Sequence, residues 1–324
     1  MKRSEFLRLA LAASVAPAFA PVAPASASPA NKEAGSPRKL VLIAGPPSHP
    51  PRIHEFRAGT ILLENRLQRV PGLVVDRHER GWVQEGTTFD DADAVVCFSD
   101  GNDRHPVLAR KGRLEMMEGL VGRGVGFGCM HFAVEVPKDT AGSKFRKMIG
   151  GCYEHKWSCN PIWEAKFDAF PEHPITRGIK PFSIRDEWYF NMRFTKGFDA
   201  EGPSEVDGVR FTPVLVATPA DDTRDGPYVY PRGPYPHIKA AKGKKEAVMW
   251  AVERPDGGRG FGFTGGHFHD NWQNDTFRKV ILNALCWVTK IEVPAEGIAS
   301  AAVGDAEIDR NLDDKRPRKK QAAG

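Results

Sequence analysis

The chain has 324 residues, of which 41% are hydrophobic and 27% charged, with a formal net charge of +5. Part of that excess (Lys2, Arg3 and Arg8 against Glu5) lies in the first ten residues, so the remainder carries no electrostatic footprint for nucleic acid. Five cysteines, an odd number, exclude a fully paired disulfide framework.

Residues 1–27 read as a signal peptide. A basic start is followed by the apolar, Ala-rich run Leu9–Ala20, and Ala25-Ser26-Ala27 fits an A-x-A cleavage site with Ser28 as the first mature residue. The run is shorter than the ~20 residues of a membrane span. The expectation is an exported protein, periplasmic or secreted by a Sec or Tat route, with no stable membrane span after cleavage.

Residues 28–38 are rich in Ser, Pro and Ala and read as a linker. Leu40–Ala44 is a continuous apolar run, as in a buried parallel strand. It ends in GPPSH at 45–49, which continues neither strand nor helix. Apolar residues then recur at helical spacing from Phe56 to about Val70. Leu73–Asp76 and Ala94–Phe98 read as strands, Val107–Val121 as a helix, and Val125–Cys129 as a further strand. This β-α-β-β-α-β order is what a doubly wound sheet requires. Farther on, Trp163–Phe167, Thr212–Thr218, Ala247–Val252 and Gly260–Thr264 read as strands, the last two as a hairpin across residues 255–258. Residues 219–246 read as a long Pro/Gly-rich loop. Asp275–Thr289 is an amphipathic helix, and residues 294–324 lose periodicity and read as a disordered tail. No internal repeat is present.

Histidines gather at predicted strand ends. His49 and His54 follow the first strand, His131 the central one, and His267 and His269 the last. In a parallel sheet these ends share one edge, where ligands of open α/β sheets bind. Several imidazoles with an acid such as Glu55, Glu154 or Asp270 would suit a first-row metal, and His49, His131 and His267 are the expected ligands for Mn²⁺ or Zn²⁺. Each imidazole alone could equally satisfy a loop hydrogen bond. His131 also suits general acid/base work at neutral pH. Cys129 would be a nucleophile only if a positive neighbour lowered its pKa; otherwise it is a small buried hydrophobe. Glu154, Asp186 and Glu187 are candidate acids. Trp157 and Trp188 lie near polar clusters where an indole could stack on a sugar ring. The chain has no GxGxxG, P-loop or G-x-S-x-G motif, so neither nucleotide binding nor serine hydrolysis is supported.

Several stretches resemble ThuA-like (trehalose-utilisation) proteins: GPPSHPPRIHEFRAG at 45–59, GFGCMHFAVE at 126–135, GGCYEHKWSCNP at 150–161, HPITRGIKPF at 173–182, DEWYF at 186–190 and the long run at 258–288. The resemblance covers roughly residues 39–293. It implies a class I glutamine amidotransferase-like fold, a flavodoxin-like three-layer sandwich with a mainly parallel central sheet. Aligned on the amidotransferase elbow, His131 rather than Cys129 takes the nucleophile position, and the later His-x-Glu reads His267-x-His269. The Cys-His-Glu triad is not intact, and glutaminase activity is not expected.

What the resemblance implies is a role in sugar metabolism with a small-molecule carbohydrate as partner. The leading expectation is chemistry on a keto-glycoside by histidine acid/base or metal-assisted catalysis, with His131, His267, His269 and Glu154 catalytic. Substrate would meet His49, His54, Trp157, Asp186, Glu187 and Trp188. The alternatives are a non-catalytic sugar-binding protein reusing the fold, and a thiol hydrolase acting through Cys129.

Overall fold

A computed structural model describes residues 35–315. The expected signal peptide, residues 28–34 of the expected linker and residues 316–324 lie outside the described residues.

An eight-stranded sheet forms the centre. Its first five strands in spatial order are parallel: β2 (Leu73–His78), β1 (Arg38–Ala44), β3 (Ala94–Phe98), β4 (Gly126–Met130) and β12 (Arg259–Phe263). This is the flavodoxin-like 2-1-3-4-5 order, with the reversal between β1 and β3. Antiparallel strands β11 (Glu246–Glu253), β10 (Val209–Ala217) and β9 (Ser204–Val206) extend it. Outside the main sheet, β5 (Gly151–Cys152) pairs with β8 (Arg193–Phe194), and β6 (Trp163–Phe167) pairs with β7 (Phe182–Asp186).

Strand alternation assigns the two faces. Leu40, Leu42 and Ala44 pack with α1 (Phe56–Leu67) and α6 (Asp275–Val288), whereas Val41 and Ile43 pack with α2 (Arg113–Gly122) and α3 (Ser143–Ile149). Helix α6 begins where Asn274 Oδ1 accepts hydrogen bonds from the backbone N–H groups of Thr276 and Phe277, both 3.0 Å. Such caps satisfy donors that the first turn leaves orphaned.

The structure departs from the sequence reading in three places. Helix α2 starts at Arg113 rather than Val107, because residues 105–112 form turns closed by Gly112 at φ +86°. The stretch 219–246 contains two short helices, α4 (Asp221–Asp225) and α5 (Pro236–Lys239), anchored by buried Arg224, Tyr228 and Ile238. Residues 294–315 were expected to be disordered and instead pack on the domain. Ile298, Val303 and Ile308 enter the α1/α6 core, the last on α7 (Asp305–Ile308). Periodicity missed this segment because its apolar anchors are single residues spaced along irregular backbone. Among the described residues, no helix is long and apolar enough to cross a membrane.

Candidate metal centre

The site lies at the carboxyl ends of β1, β4 and β12, and each end delivers its histidine through an unusual backbone. His131 opens the turn His131–Val134 directly after β4 at φ +54°. In the loop after β1, His49, Arg52 and His54 have φ of +62°, +66° and +51°. Left-handed conformations in residues other than glycine persist where their surroundings over-determine them, and they cluster at functional sites. After β12, Gly266 at φ +104° lets the chain turn so that its own N–H and that of His267 both point at the Asp186 carboxylate, at 2.8 and 3.0 Å. Asp186 also accepts from Glu187 N and Asn271 Nδ2, so it fixes the turns that carry Glu187 and His267.

The result is a knot of four side chains. His54 Nε2 is 3.0 Å from His267 Nδ1 and 3.1 Å from His131 Nε2. Glu187 Oε2 is 2.7 Å from His267 Nδ1 and 3.4 Å from His131 Nε2. These four donor atoms all lie within 4.8 Å of one another. Ligands around a tetrahedral zinc, bound at 2.0–2.1 Å, stand about 3.3 Å apart, which is the spacing found. The four side chains are between 0% and 7% exposed.

The tautomers sharpen this. His131 Nδ1 lies 2.9 Å from the Thr264 carbonyl, which can only accept, so Nδ1 carries the proton and Nε2 a lone pair. His54 Nδ1 faces Asp100 Oδ1 at 3.5 Å, which favours the same arrangement there. The two Nε2 lone pairs then face each other at 3.1 Å, which is repulsive unless a cation stands between them. A ring held through its other nitrogen by a carbonyl or carboxylate is the usual second partner of a metal-bound histidine.

Charges follow the same logic. Burial pushes the His54 imidazole well below its ordinary pKa, and the neighbouring histidines push it further. Burial would do the same to His131, but the Glu187 carboxylate beside it overrides this and holds it above the usual value. Burial would raise Glu187; contact with His131 and His267 lowers it instead. Nearby, burial pushes the Glu135 carboxyl up to about 7, with Asn102 opposing and the Glu187 charge adding.

Among the other expected residues, His49 is exposed, and its ring stacks on that of His54 at 3.7 Å. A metal in the plane of one stacked ring lies out of the plane of the other, so His49, expected as a ligand, sits beside the knot and His54 takes its place. His269 turns away and bonds the Ile308 carbonyl at 3.1 Å. Glu154 pairs with Arg193 at 3.0 Å, away from the knot. Trp188 is wholly buried in the core and has no face for a sugar. Trp157 carries the Arg193 guanidinium at 3.6 Å and stacks on His237. Sequence reasoning missed Asp100, Glu135 and Tyr189, whose hydroxyl is 3.4 Å from His131 Nε2. Asp100 was within reach of the strand-end argument, since it follows β3 at the same edge.

The family model for ThuA, trehalose utilisation, matches residues 63–288. The chain belongs to the ThuA family. His131, Glu187 and His267 fall within the matched segment, and His49 and His54 precede it. Among solved structures, a ThuA-like protein from Bacteroides uniformis aligns at TM-score 0.53 and 17% identity, covering 79% of this chain and 94% of that one. A second, from Parabacteroides merdae, aligns at TM-score 0.53 and 16% identity, over 80% and 92% of the two chains. At such identities the likeness is one of fold. No curated protein matches the chain.

Proposed function

We propose that this ThuA protein is an enzyme acting on a carbohydrate carbonyl, with a keto-glycoside as the substrate class, through a divalent metal held by His54, His131, His267 and Glu187. The observation that carries the reading is the pair of facing imidazole lone pairs at 3.1 Å, closed by a carboxylate on the other side. Family membership in trehalose utilisation supports the sugar.

Three neutral imidazoles and one carboxylate leave a divalent ion with net positive charge, as a Lewis acid needs. A four-coordinate ion would be closed by these ligands, so catalysis calls for one that expands its coordination: Mn²⁺, or Zn²⁺ becoming five-coordinate. Such an ion polarises a carbonyl and stabilises the enediolate formed when an adjacent C–H loses its proton. Glu135 is the group we assign to that proton. Its carboxyl sits just past the His131 turn, and a value of about 7 suits a general base or acid at neutral pH. His269 and Glu154 have no part in this chemistry, since each is engaged elsewhere. The basic, apolar start with its A-x-A site supports export as the setting, which N-terminal sequencing of the mature protein would test.

Elemental analysis of protein purified without a His tag or chelator should find about one equivalent of Mn or Zn, and its removal should abolish turnover of keto-glycosides. Saturable sugar binding with no metal after reconstitution would instead establish a binding protein.

A further inference from the structure

The loop that carries His54 is strained at three positions, and something must hold it. On one side the turn after β12 does so. His54 N donates to His267 O at 3.0 Å, His269 N donates to Arg52 O at 2.9 Å, and Ile53 bridges Phe268. On the other side stands the C-terminal segment. Lys315 Nζ donates to the carbonyls of Ile53 at 2.7 Å and His54 at 3.0 Å, and pairs with Glu55 Oε1 at 3.1 Å. Three contacts use all three protons of an ammonium. The Lys315 side chain is only 4% exposed and that of Glu55 is fully buried.

Glu55 distributes this anchor through the loop. Its Oε1 accepts from Arg52 N at 2.8 Å, and its Oε2 accepts from Asp313 N at 3.1 Å. Arg52 itself clasps Asp309 and Asp270, and Arg57 donates to Asn311 O at 2.9 Å. Farther back, the segment is pinned by Arg66 to Glu307 and by buried Ile308. The His54 loop and this strap share one further property: both lie outside residues 63–288, the part that the family model matches. One metal-binding side chain and its brace therefore come from the two flanks of the matched domain.

We propose that the strap 305–315 is a positioning element for the metal centre: Lys315, through the Ile53 and His54 carbonyls and Glu55, holds the His54 loop in its left-handed conformation and so presents Nε2 to the ion. The inference rests on the metal reading above. Without the strap, His131, Glu187 and His267 still form a three-ligand site, so the ion binds more weakly rather than not at all.

The test uses full-length protein, with Zn²⁺ and Mn²⁺ affinities measured by chelator competition and melting temperature recorded with and without metal. Lys315→Met should weaken binding by roughly 10–100-fold, the range seen when an outer partner of a ligand is lost. Lys315→Arg should recover most of it. Glu307→Gln releases the strap only at its Arg66 end; it should lower the chelator-treated melting temperature yet leave affinity within ~2-fold, since ligand orientation sets the affinity. Glu55→Gln keeps the shape and removes the ion pair, and should weaken binding in the same direction if Lys315→Met fails to fold. Wild-type affinity in both Lys315→Met and Glu55→Gln would overturn the strap's role. Failure of the wild-type protein to bind either ion would overturn the metal reading itself.

Discussion

Strand β4 serves two histidine sites, and they behave in opposite ways. Cys129 points from the strand into the α2/α3 face, where its Sγ lies 3.8 Å from His105 Nε2. His131, two residues on, has left the strand and stands at the sheet edge with His54, His267 and Glu187. Both sites are buried. In the first, burial pushes the thiol well above its ordinary value and pushes His105 down to about 3, so both groups stay neutral. In the second, a carboxylate stands among the imidazoles and keeps His131 raised despite full burial. Burial silences an ionisable pair unless an opposite charge is buried with it. A Cys–His pair of this kind gives no thiolate at neutral pH, which removes the basis for a thiol hydrolase.

The largest expected effects would confirm or break this contrast. His131→Ala or Glu187→Gln should lower metal affinity by more than ~100-fold, beyond what the loss of an outer partner alone produces, and abolish turnover with it. Equal loss of metal in Cys129→Ala would show the two sites to be one. Acid titration comes next. Folded His105 titrates at about 3 and an unfolded imidazole near 6.5, so between these values the unfolded chain binds the extra proton. Stability contributed by neutral His105 is therefore present above pH 6.5 and is lost as pH falls toward 3, by as much as about 5 kcal/mol. Urea unfolding midpoints from pH 7 to 4 should fall less steeply in His105→Gln than in the wild type.

Glu135 has the opposite sign. Its folded value of about 7 stands above that of an unfolded carboxyl, so its contribution is full below about pH 4.5 and is lost as pH rises through 7. Glu135→Gln should stabilise the protein at pH 8 relative to pH 4.5 by up to about 3 kcal/mol, while lowering kcat with metal content unchanged. Asp186→Asn, which loosens the turns carrying Glu187 and His267, should weaken metal binding by roughly 10-fold. Cys129→Ala should cost about 1–2 kcal/mol of stability, the order of a small cavity, and leave metal content and kcat as they were.

The candidate site was partly legible before the fold was known. Strand-end histidines at 49, 54, 131, 267 and 269 marked one edge, and three of the four knot histidines and acids that lie in the matched family segment stood among the named residues. What misled was local adjacency. Asp186 and Glu187 are neighbours with the same chemistry, yet one bonds backbone N–H groups and the other enters the knot, because successive side chains near a strand end point apart. His267 and His269 both follow β12, yet only the first turns inward. Tryptophans beside polar residues suggested sugar stacking, but Trp188 faces the core, since β7 packs flat against the sheet's α6 side.

By itself, the order of apolar runs and turns determined the doubly wound fold, since buried parallel strands and amphipathic helices each have a period that can be read locally. The pattern around residues 126–135 and 258–288 determined the family. Tertiary structure decided which side chains meet. His54 and His267 are 213 residues apart and touch only because β1 and β12 are parallel members of one sheet. It also decided that residues 294–315 are a brace rather than a tail: their contacts are single buried side chains and ion pairs to distant loops, interactions that have no period and so leave no trace along the chain.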